Sequence, residues 1–146
     1  FTTLHTNSAL GAFPRLLDIG ILPDIMAGNI IGVIAQRLVR LLCPHCKEAR
    51  KPTAMEQAFL GLQGATIYHA KGCEKCNNTG YRGRTGIYEL LAVDEHVRQM
   101  IHGQDSEEHL LQAVRPHARS IRDDGIQRVR DGITTLEEVL RVTQEE

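Results

Sequence analysis

The sequence predicts an α/β remnant in an otherwise mainly α-helical chain, with a small cysteine-bearing subdomain set between two helical parts. Three observations predict this. Residues 1–42 are apolar with helical spacing and open on what reads as a strand end. Residues 43–92 are rich in turn chemistry and hold all four cysteines, as two C-x-x-C pairs. Residues 93–146 alternate helix N-cap signals with glycine stops. A chain of 146 residues is long enough for one ordinary domain or two small ones.

In chain order, residues 1–4 read as the end of a strand. Asn7 or Ser8 caps the helix that follows, and Gly20 stops it. Pro14 falls inside that helix and either kinks it or delays its start. Asn29 is expected to open a second helix running to Leu42, with Ile30, Ile31, Val33, Ile34, Leu38, Leu41 and Leu42 on a wide apolar face. On that reading Arg37 and Arg40 sit near a helix C-terminus, where the macrodipole favours cations. In the middle segment, Thr53-Ala54-Met55-Glu56 fits a capping box for a short helix ending near Gly61. Residues 65–70 and 86–93 read as short strands. Asn77-Asn78-Thr79-Gly80 and Arg82-Gly83-Arg84-Thr85-Gly86 read as turns. In the tail, Asp94 and Ser106 are N-caps and Gly103 is a stop. Ser120 caps a helix through Arg130 that Gly132 ends. Thr134-Thr135-Leu136-Glu137-Glu138 offers overlapping capping boxes for the last helix.

Charge and composition exclude several classes. The 17 basic and 18 acidic residues leave a net charge of -1, which argues against a main task of coating nucleic acid or an anionic membrane. The most apolar stretch, residues 19–42, is broken by Pro23, Asp24, Asn29, Gln36, Arg37 and Arg40, so no transmembrane helix is expected. The opening residues lack the pattern of a signal peptide, and export is not expected. The start at Phe1 rather than Met reads as a fragment of something longer.

The cysteines are the most informative feature. Cys43-Pro44-His45-Cys46 and Cys73-Glu74-Lys75-Cys76 are separated by a helical insertion and followed by a turn-rich stretch. Each C-x-x-C turn puts two thiolates on one side of a tight loop, and two such turns complete the tetrahedral shell of a structural zinc ion. Lys47, Lys75 and Arg82 lie near enough in sequence to soften the charge of four thiolates. Two disulfides would also use four cysteines, but the missing export signal argues against them. A redox dithiol needs only one pair, in surroundings this sequence lacks. His45 and His69 are close in sequence, although four thiolates need no fifth ligand. A closed four-sulfur shell leaves no open position, so the metal is assigned no catalytic role.

Other residues are weaker candidates. His5 sits at a strand end before a helix, the kind of position where open α/β sheets bind ligands, although a lone histidine there is more often a structural hydrogen-bonding residue. Tyr81, Arg82 and Arg84 form a basic and aromatic cluster, but low aromatic content and neutral charge argue against nucleic-acid binding. His96, His102, His109 and His117 have no ligand-like spacing and read as surface residues. No G-x-x-x-x-G-K-[ST] phosphate loop occurs in the chain.

Several blocks in order carry a resemblance. Thr2-Thr3-Leu4-His5-Thr6-Asn7 resembles the histidine box of secretion ATPases. Gly32-Val33-Ile34-Ala35-Gln36-Arg37-Leu38-Val39-Arg40, followed by Leu42-Cys43-Pro44-His45-Cys46, looks like their next block. Cys73-Glu74-Lys75-Cys76 and then Gly80-Tyr81-Arg82-Gly83-Arg84-Thr85-Gly86-Ile87-Tyr88-Glu89-Leu90-Leu91 resemble the segment after. Ser120-Ile121-Arg122-Asp123-Asp124-Gly125 and Gly132-Ile133-Thr134-Thr135-Leu136-Glu137-Glu138-Val139-Leu140-Arg141-Val142-Thr143 are similar to the C-terminus. Over nearly its whole length the chain resembles the bacterial type II secretion traffic ATPases, the general secretory pathway E proteins, which are related to type IV pilus assembly ATPases. The Ser120–Gly125 block is closer to the secretion branch.

The resemblance implies the C-terminal portion of a RecA-like ATPase core with a four-cysteine zinc subdomain and a helical tail. Residues 1–42 would be the edge of the core, 43–92 the zinc-binding subdomain and 93–146 the helical subdomain. The parent would be a homohexameric motor on the cytoplasmic face of the bacterial inner membrane, hydrolysing ATP with Mg2+ to drive pseudopilus assembly and protein secretion across the outer membrane. Its partners would be neighbouring subunits and the inner-membrane platform proteins, with membrane contact only through them and no nucleic acid. His5 would support catalysis near the nucleotide, and Cys43, Cys46, Cys73 and Cys76 would hold Zn2+. The Walker A loop, acidic box and Walker B would precede Phe1, so this stretch alone is expected to be inactive. The alternative is a stand-alone zinc-ribbon module that binds protein or nucleic acid.

Overall fold

The computed structural model describes residues 1–144, except the side chain of Phe59. Helices α1 (Ala12–Asp18) and α2 (Pro23–Asn29) precede strand β1 (Gly32–Leu42). Then come β2 (Glu48–Arg50), α3 (Ala54–Leu60), β3 (Ile67–His69) and the long β4 (Tyr81–Ala92). The chain finishes with α4 (Glu95–His102), α5 (Glu107–Val114), α6 (Ile121–Arg130) and α7 (Leu136–Thr143). None of the described helices is long and apolar enough to cross a membrane.

β1 pairs with β4, and β2 with β3. Val93 N–H donates to Ile31 C=O at one end of the first ribbon and Cys43 N–H to Gly80 C=O at the other, so β1 and β4 run antiparallel. Two compact units result. One comprises Phe1–Gln36 and Tyr88–Ser120, the other Arg37–Ile87 and the chain from Ile121 onward. Each long strand contributes to both.

Where a helix was expected from Asn29 to Leu42, the chain forms a strand. Pro23 begins α2 at its first turn, where the missing N–H costs nothing, and α2 has already ended by Asn29. Beyond it, Ala35 and Val39 are buried while Ile34, Gln36, Leu38 and Arg40 are exposed. That alternation has period two, and β-branched Ile31, Val33, Ile34 and Val39 suit it. A dense apolar run satisfies either period, which is why spacing alone misassigned it. Arg37 and Arg40 therefore belong to a strand and not to a helix end. Two smaller differences accompany this one. Residues 1–6 carry no regular structure, and β4 starts at Tyr81, absorbing the expected turn at 82–86. Pro14 delays its helix as anticipated, because α1 starts only at Ala12 and the proline stands in the first turn.

The unit with the cysteines has a core of Val39, Leu62, Ile67, Ile87, Ile126, Val129, Leu136 and Val139. β1, β3 and β4 supply one side and the α6–α7 hairpin the other. Gly125 on α6 lets the hairpin close: a Cβ there would lie 2.5 Å from Val139 Cγ1 and 3.3 Å from Ile87 Cδ1. Gly125→Ala is expected to lower stability by about 1–3 kcal/mol through overpacking, read as a lower denaturant midpoint at equal metal loading. The other unit packs Phe13, Met26, Val97, Ile101 and Leu110 among its buried residues. Its helices α4 and α5 start as the sequence indicated, with Asp94 accepting from Val97 N–H at 2.9 Å and Ser106 from His109 N–H at 3.2 Å. Helix α1 is instead entered from Gly11, with neither Asn7 nor Ser8 at its N-cap position and no side-chain cap bond there.

Candidate metal centre

The first cysteine pair begins where β1 ends. Leu42 N–H donates to Ile133 C=O and Cys43 N–H to Gly80 C=O, which holds the start of the loop in register. Cys46 N–H and Lys47 N–H then fold back onto Cys43 C=O at 3.4 and 3.1 Å, a tight turn that Pro44 suits. The second pair is a 3₁₀ turn over Glu74–Cys76, with Asn78 N–H on Cys73 C=O at 2.8 Å. Asn77 and Asn78 both take positive φ, 53° and 59°, which asparagine tolerates better than most residues. The expected glycine and asparagine turn therefore wraps the second pair.

These turns bring the four sulfurs together. Cys43 Sγ lies 3.9 Å from Cys73 Sγ, Cys46 Sγ 3.8 Å from Cys76 Sγ, and Cys73 Sγ 3.8 Å from Cys76 Sγ. All four lie within 4.8 Å of one another. A disulfide needs about 2.05 Å, and the thiols are free. By contrast, a tetrahedron of zinc–sulfur bonds of about 2.3 Å has edges of about 3.8 Å. The spacing fits a four-thiolate ion site and not two disulfides. Cys43 and Cys76 are buried and the other two partly so.

The electrostatics agree. Burial pushes the Cys46 thiol up to about 12, further than the Gly72 backbone can offset. Burial opposes ionisation of Cys76 as well, but N–H donors from Cys73 and Gly80, each 3.2 Å from its sulfur, hold it down at about 6. Four thiolates packed this closely would repel one another, and a central divalent cation would offset that repulsion. Lys47 Nζ donates to Gly132 C=O at 2.9 Å and sits over the Tyr68 ring. His69 bonds Glu48, with Nε2 3.1 Å from the carboxylate. Neither His69 nor His45 belongs to the four-residue cluster.

His5 is exposed in the irregular N-terminal stretch of the other unit, with no regular strand leading into it. A second polar centre, around Glu138, has no signature in the residue spacing. The Glu138 side chain is only 2% exposed, yet it accepts from Arg40 N–H at 2.9 Å, Arg40 guanidinium at 2.6 Å and Arg141 guanidinium at 3.0 Å. Burial works to raise its pKa, but Arg40 and Arg141 outweigh it and hold the carboxyl at about 2. Arg40 also lies 4.1 Å above the Tyr81 ring, and Tyr81 Oη meets Thr135 Oγ1 at 2.8 Å. Thr135 caps α7 as the sequence suggested, accepting from Glu138 N–H. The reciprocal half of the box is absent, because the glutamate turns to Arg40 instead. Its one sequence signal was the capping box itself.

Residues 1–141 match the family model described as Type II/IV secretion system protein. The chain is 52% identical to Type II secretion system protein E of Pseudomonas aeruginosa, over 99% of its own length and 30% of that protein. It is 48% identical to Type II secretion system ATPase E of Vibrio cholerae, over 99% of its length and 29% of the relative. With Type IV pilus assembly ATPase PilB of Thermus thermophilus it shares 44% identity, over 98% of its length and 17% of the relative. It thus spans under a third of the relatives it matches. Among solved structures, the pilus retraction motor PilT with bound ADP superposes with a TM-score of 0.59 at 19% identity, over 98% of this chain and 32% of that one. That likeness concerns the fold.

Proposed function

Because the chain belongs to the type II/IV secretion system protein family, we propose that it is the C-terminal portion of an ATPase that powers type II protein secretion. The observation that carries this reading is the 52% identity to a type II secretion system protein E across 99% of the chain. In this reading residues 1–42 are the edge of a RecA-like core, 43–92 a zinc subdomain and 93–146 a helical subdomain. The parent works as a homohexamer on the cytoplasmic face of the inner membrane, coupling ATP and Mg2+ chemistry to pseudopilus assembly through neighbouring subunits and platform proteins. His5 lies in a block resembling the histidine box and takes a supporting role near the nucleotide.

Cys43, Cys46, Cys73 and Cys76 would hold the zinc ion, whose chemistry here is structural cross-linking. Four thiolates fill its shell and leave no position for a substrate. The protein's own contribution is to fix the sulfurs: β1 delivers Cys43, and the 3₁₀ turn delivers Cys73 and Cys76. The stretch contains no phosphate loop to cradle a nucleotide, and phosphoryl transfer depends on one together with a magnesium carboxylate. The purified chain is therefore expected to release no phosphate from ATP and Mg2+ above a protein-free blank. Sustained turnover would overturn the assignment of the chemistry to the rest of the parent. The coding sequence upstream of Phe1 should contain a G-x-x-x-x-G-K-[ST] loop, and its absence would count against the motor. Salt-sensitive binding to DNA or RNA would favour the stand-alone module instead.

A further inference from the structure

Gly80 touches the metal centre in a way that neither cysteine pair explains. Its N–H donates to Cys76 Sγ at 3.2 Å. Its C=O accepts from Cys43 N–H at 2.9 Å. One peptide neighbourhood thus grips a ligand of the second pair and the backbone of a ligand in the first. Gly80 is also pressed against the chain leading into the second pair: a Cβ would lie 2.5 Å from Ala70 Cβ, 3.0 Å from Ala70 Cα and 3.1 Å from Ala70 C. Its φ of 77° is one that residues with a side chain rarely adopt. Thr79 braces the same turn, donating to Cys76 C=O at 2.7 Å and accepting from Tyr81 N–H at 3.2 Å.

A glycine that only turned the chain would need the positive φ and nothing more. Here the same residue is held from three sides, and two of the three contacts end on residues that carry ligand sulfurs. An N–H aimed at a thiolate stabilises its negative charge and fixes the direction of its lone pairs, as outer contacts do for other metal ligands.

Resting on the zinc reading above, we infer that Gly80 is a positioning residue of the metal centre, setting Cys76 relative to Cys43 through its N–H and C=O. A methyl group at this position must push on Ala70 backbone, and the peptide then rotates away from Cys76 Sγ. The metal still finds four sulfurs but in a less well-fixed arrangement.

The test uses the whole chain. In protein loaded with NMR-active cadmium, the amide protons of both Cys73 and Gly80 should show scalar coupling to the metal through Cys76 Sγ. Gly80→Ala should bind zinc about 10–100-fold more weakly, measured by competition with a chromophoric chelator. Its cobalt form should show a displaced thiolate-to-metal charge-transfer band. Adding Ala70→Gly should recover part of the affinity by removing the shortest of the three contacts, the one to Ala70 Cβ. Cadmium uptake without coupling at Gly80 overturns the inference and leaves the metal reading standing, as does a Gly80→Ala protein with unchanged zinc affinity and cobalt spectrum. Should Gly80→Ala fail to fold, the coupling in the unsubstituted chain still decides. A chain that takes up no zinc, cobalt or cadmium overturns the metal reading and this inference with it.

Discussion

Replacing Cys76 by serine should strip the metal and unfold the cysteine-bearing unit. Native mass spectrometry of the unsubstituted chain is expected to show one zinc, and Cys76→Ser essentially none. The effect is large because binding and folding are a single event in sites of this kind. Structural zinc contributes about 10–16 kcal/mol in small metal domains at neutral pH, comparable with the whole stability of about 5–15 kcal/mol of an ordinary domain. Among the described residues, the core beside the site is built from eight buried side chains around Val39 and Val139. Circular dichroism should show lost structure and a broad, early melt in the variant. A strong chelator should bring the unsubstituted chain to the same state. A variant that keeps a full zinc equivalent, or a chelated chain with an unchanged melt, would refute the site. Oxidised cysteines in the freshly purified protein would also contradict it, because sulfurs 3.8–3.9 Å apart are not bonded.

The next largest effect is expected at Glu138. Glu138→Gln keeps the shape and removes the charge that two guanidinium groups and one backbone N–H share. Breaking a buried ion pair from one side typically costs about 3–5 kcal/mol. Arg40 and Arg141 are 48% and 60% exposed, so water can take up their charge and the cost should fall at the lower end, about 3 kcal/mol. The difference should depend on pH in a defined direction. Glu138 is held at about 2 in the folded chain against an ordinary 4.5. Its ionic stabilisation is therefore complete above about 4.5 and is lost as pH falls towards 2. The gap in unfolding free energy between the unsubstituted chain and Glu138→Gln should be constant at neutral pH and close progressively across that acid window. Taking the difference between the two proteins cancels the acid sensitivity of the thiolate site and of Glu56, which Arg50 also holds at about 2. A gap independent of pH would mean that the lost acceptor oxygen, not the charge, makes Glu138 matter.

Local chemistry was legible in the sequence and distant chemistry was not. Thr53 forms the full capping box with Glu56, and Asp94, Ser106 and Thr135 cap their helices, because each such contact closes over three residues. The paired cysteines were readable for a similar reason: each turn is local, and only the meeting of the two pairs is not. β1 was misread because Ile30 to Leu42 is apolar enough to satisfy a helix or a strand, and pairing with β4 decides between them. The Glu138–Arg40 contact spans 98 residues, and no spacing rule reaches that far. Its glutamate was visible only in the guise of a cap. Lys47 shows the same limit, since no spacing rule links it to Gly132, 85 residues further on.

The turn between α6 and α7 is tied to the strand that enters the first cysteine loop. Ile133 C=O accepts from Leu42 N–H, Thr134 Oγ1 donates to Arg40 C=O, and Gly132 C=O accepts from Lys47. The last two of these contacts join positions 94 and 85 residues apart. During synthesis the strand and both cysteine pairs leave the ribosome long before the helices that must settle beside them. Contacts at such separations form late and slowly. A metal ion bridging the pairs would close a segment of 30 residues first and leave a stiffer, smaller body for the last hairpin to find. With zinc bound, the centre would act as a clock as well as a clamp, dividing assembly of this unit into an early metal-dependent stage and a final docking of the C-terminal helices.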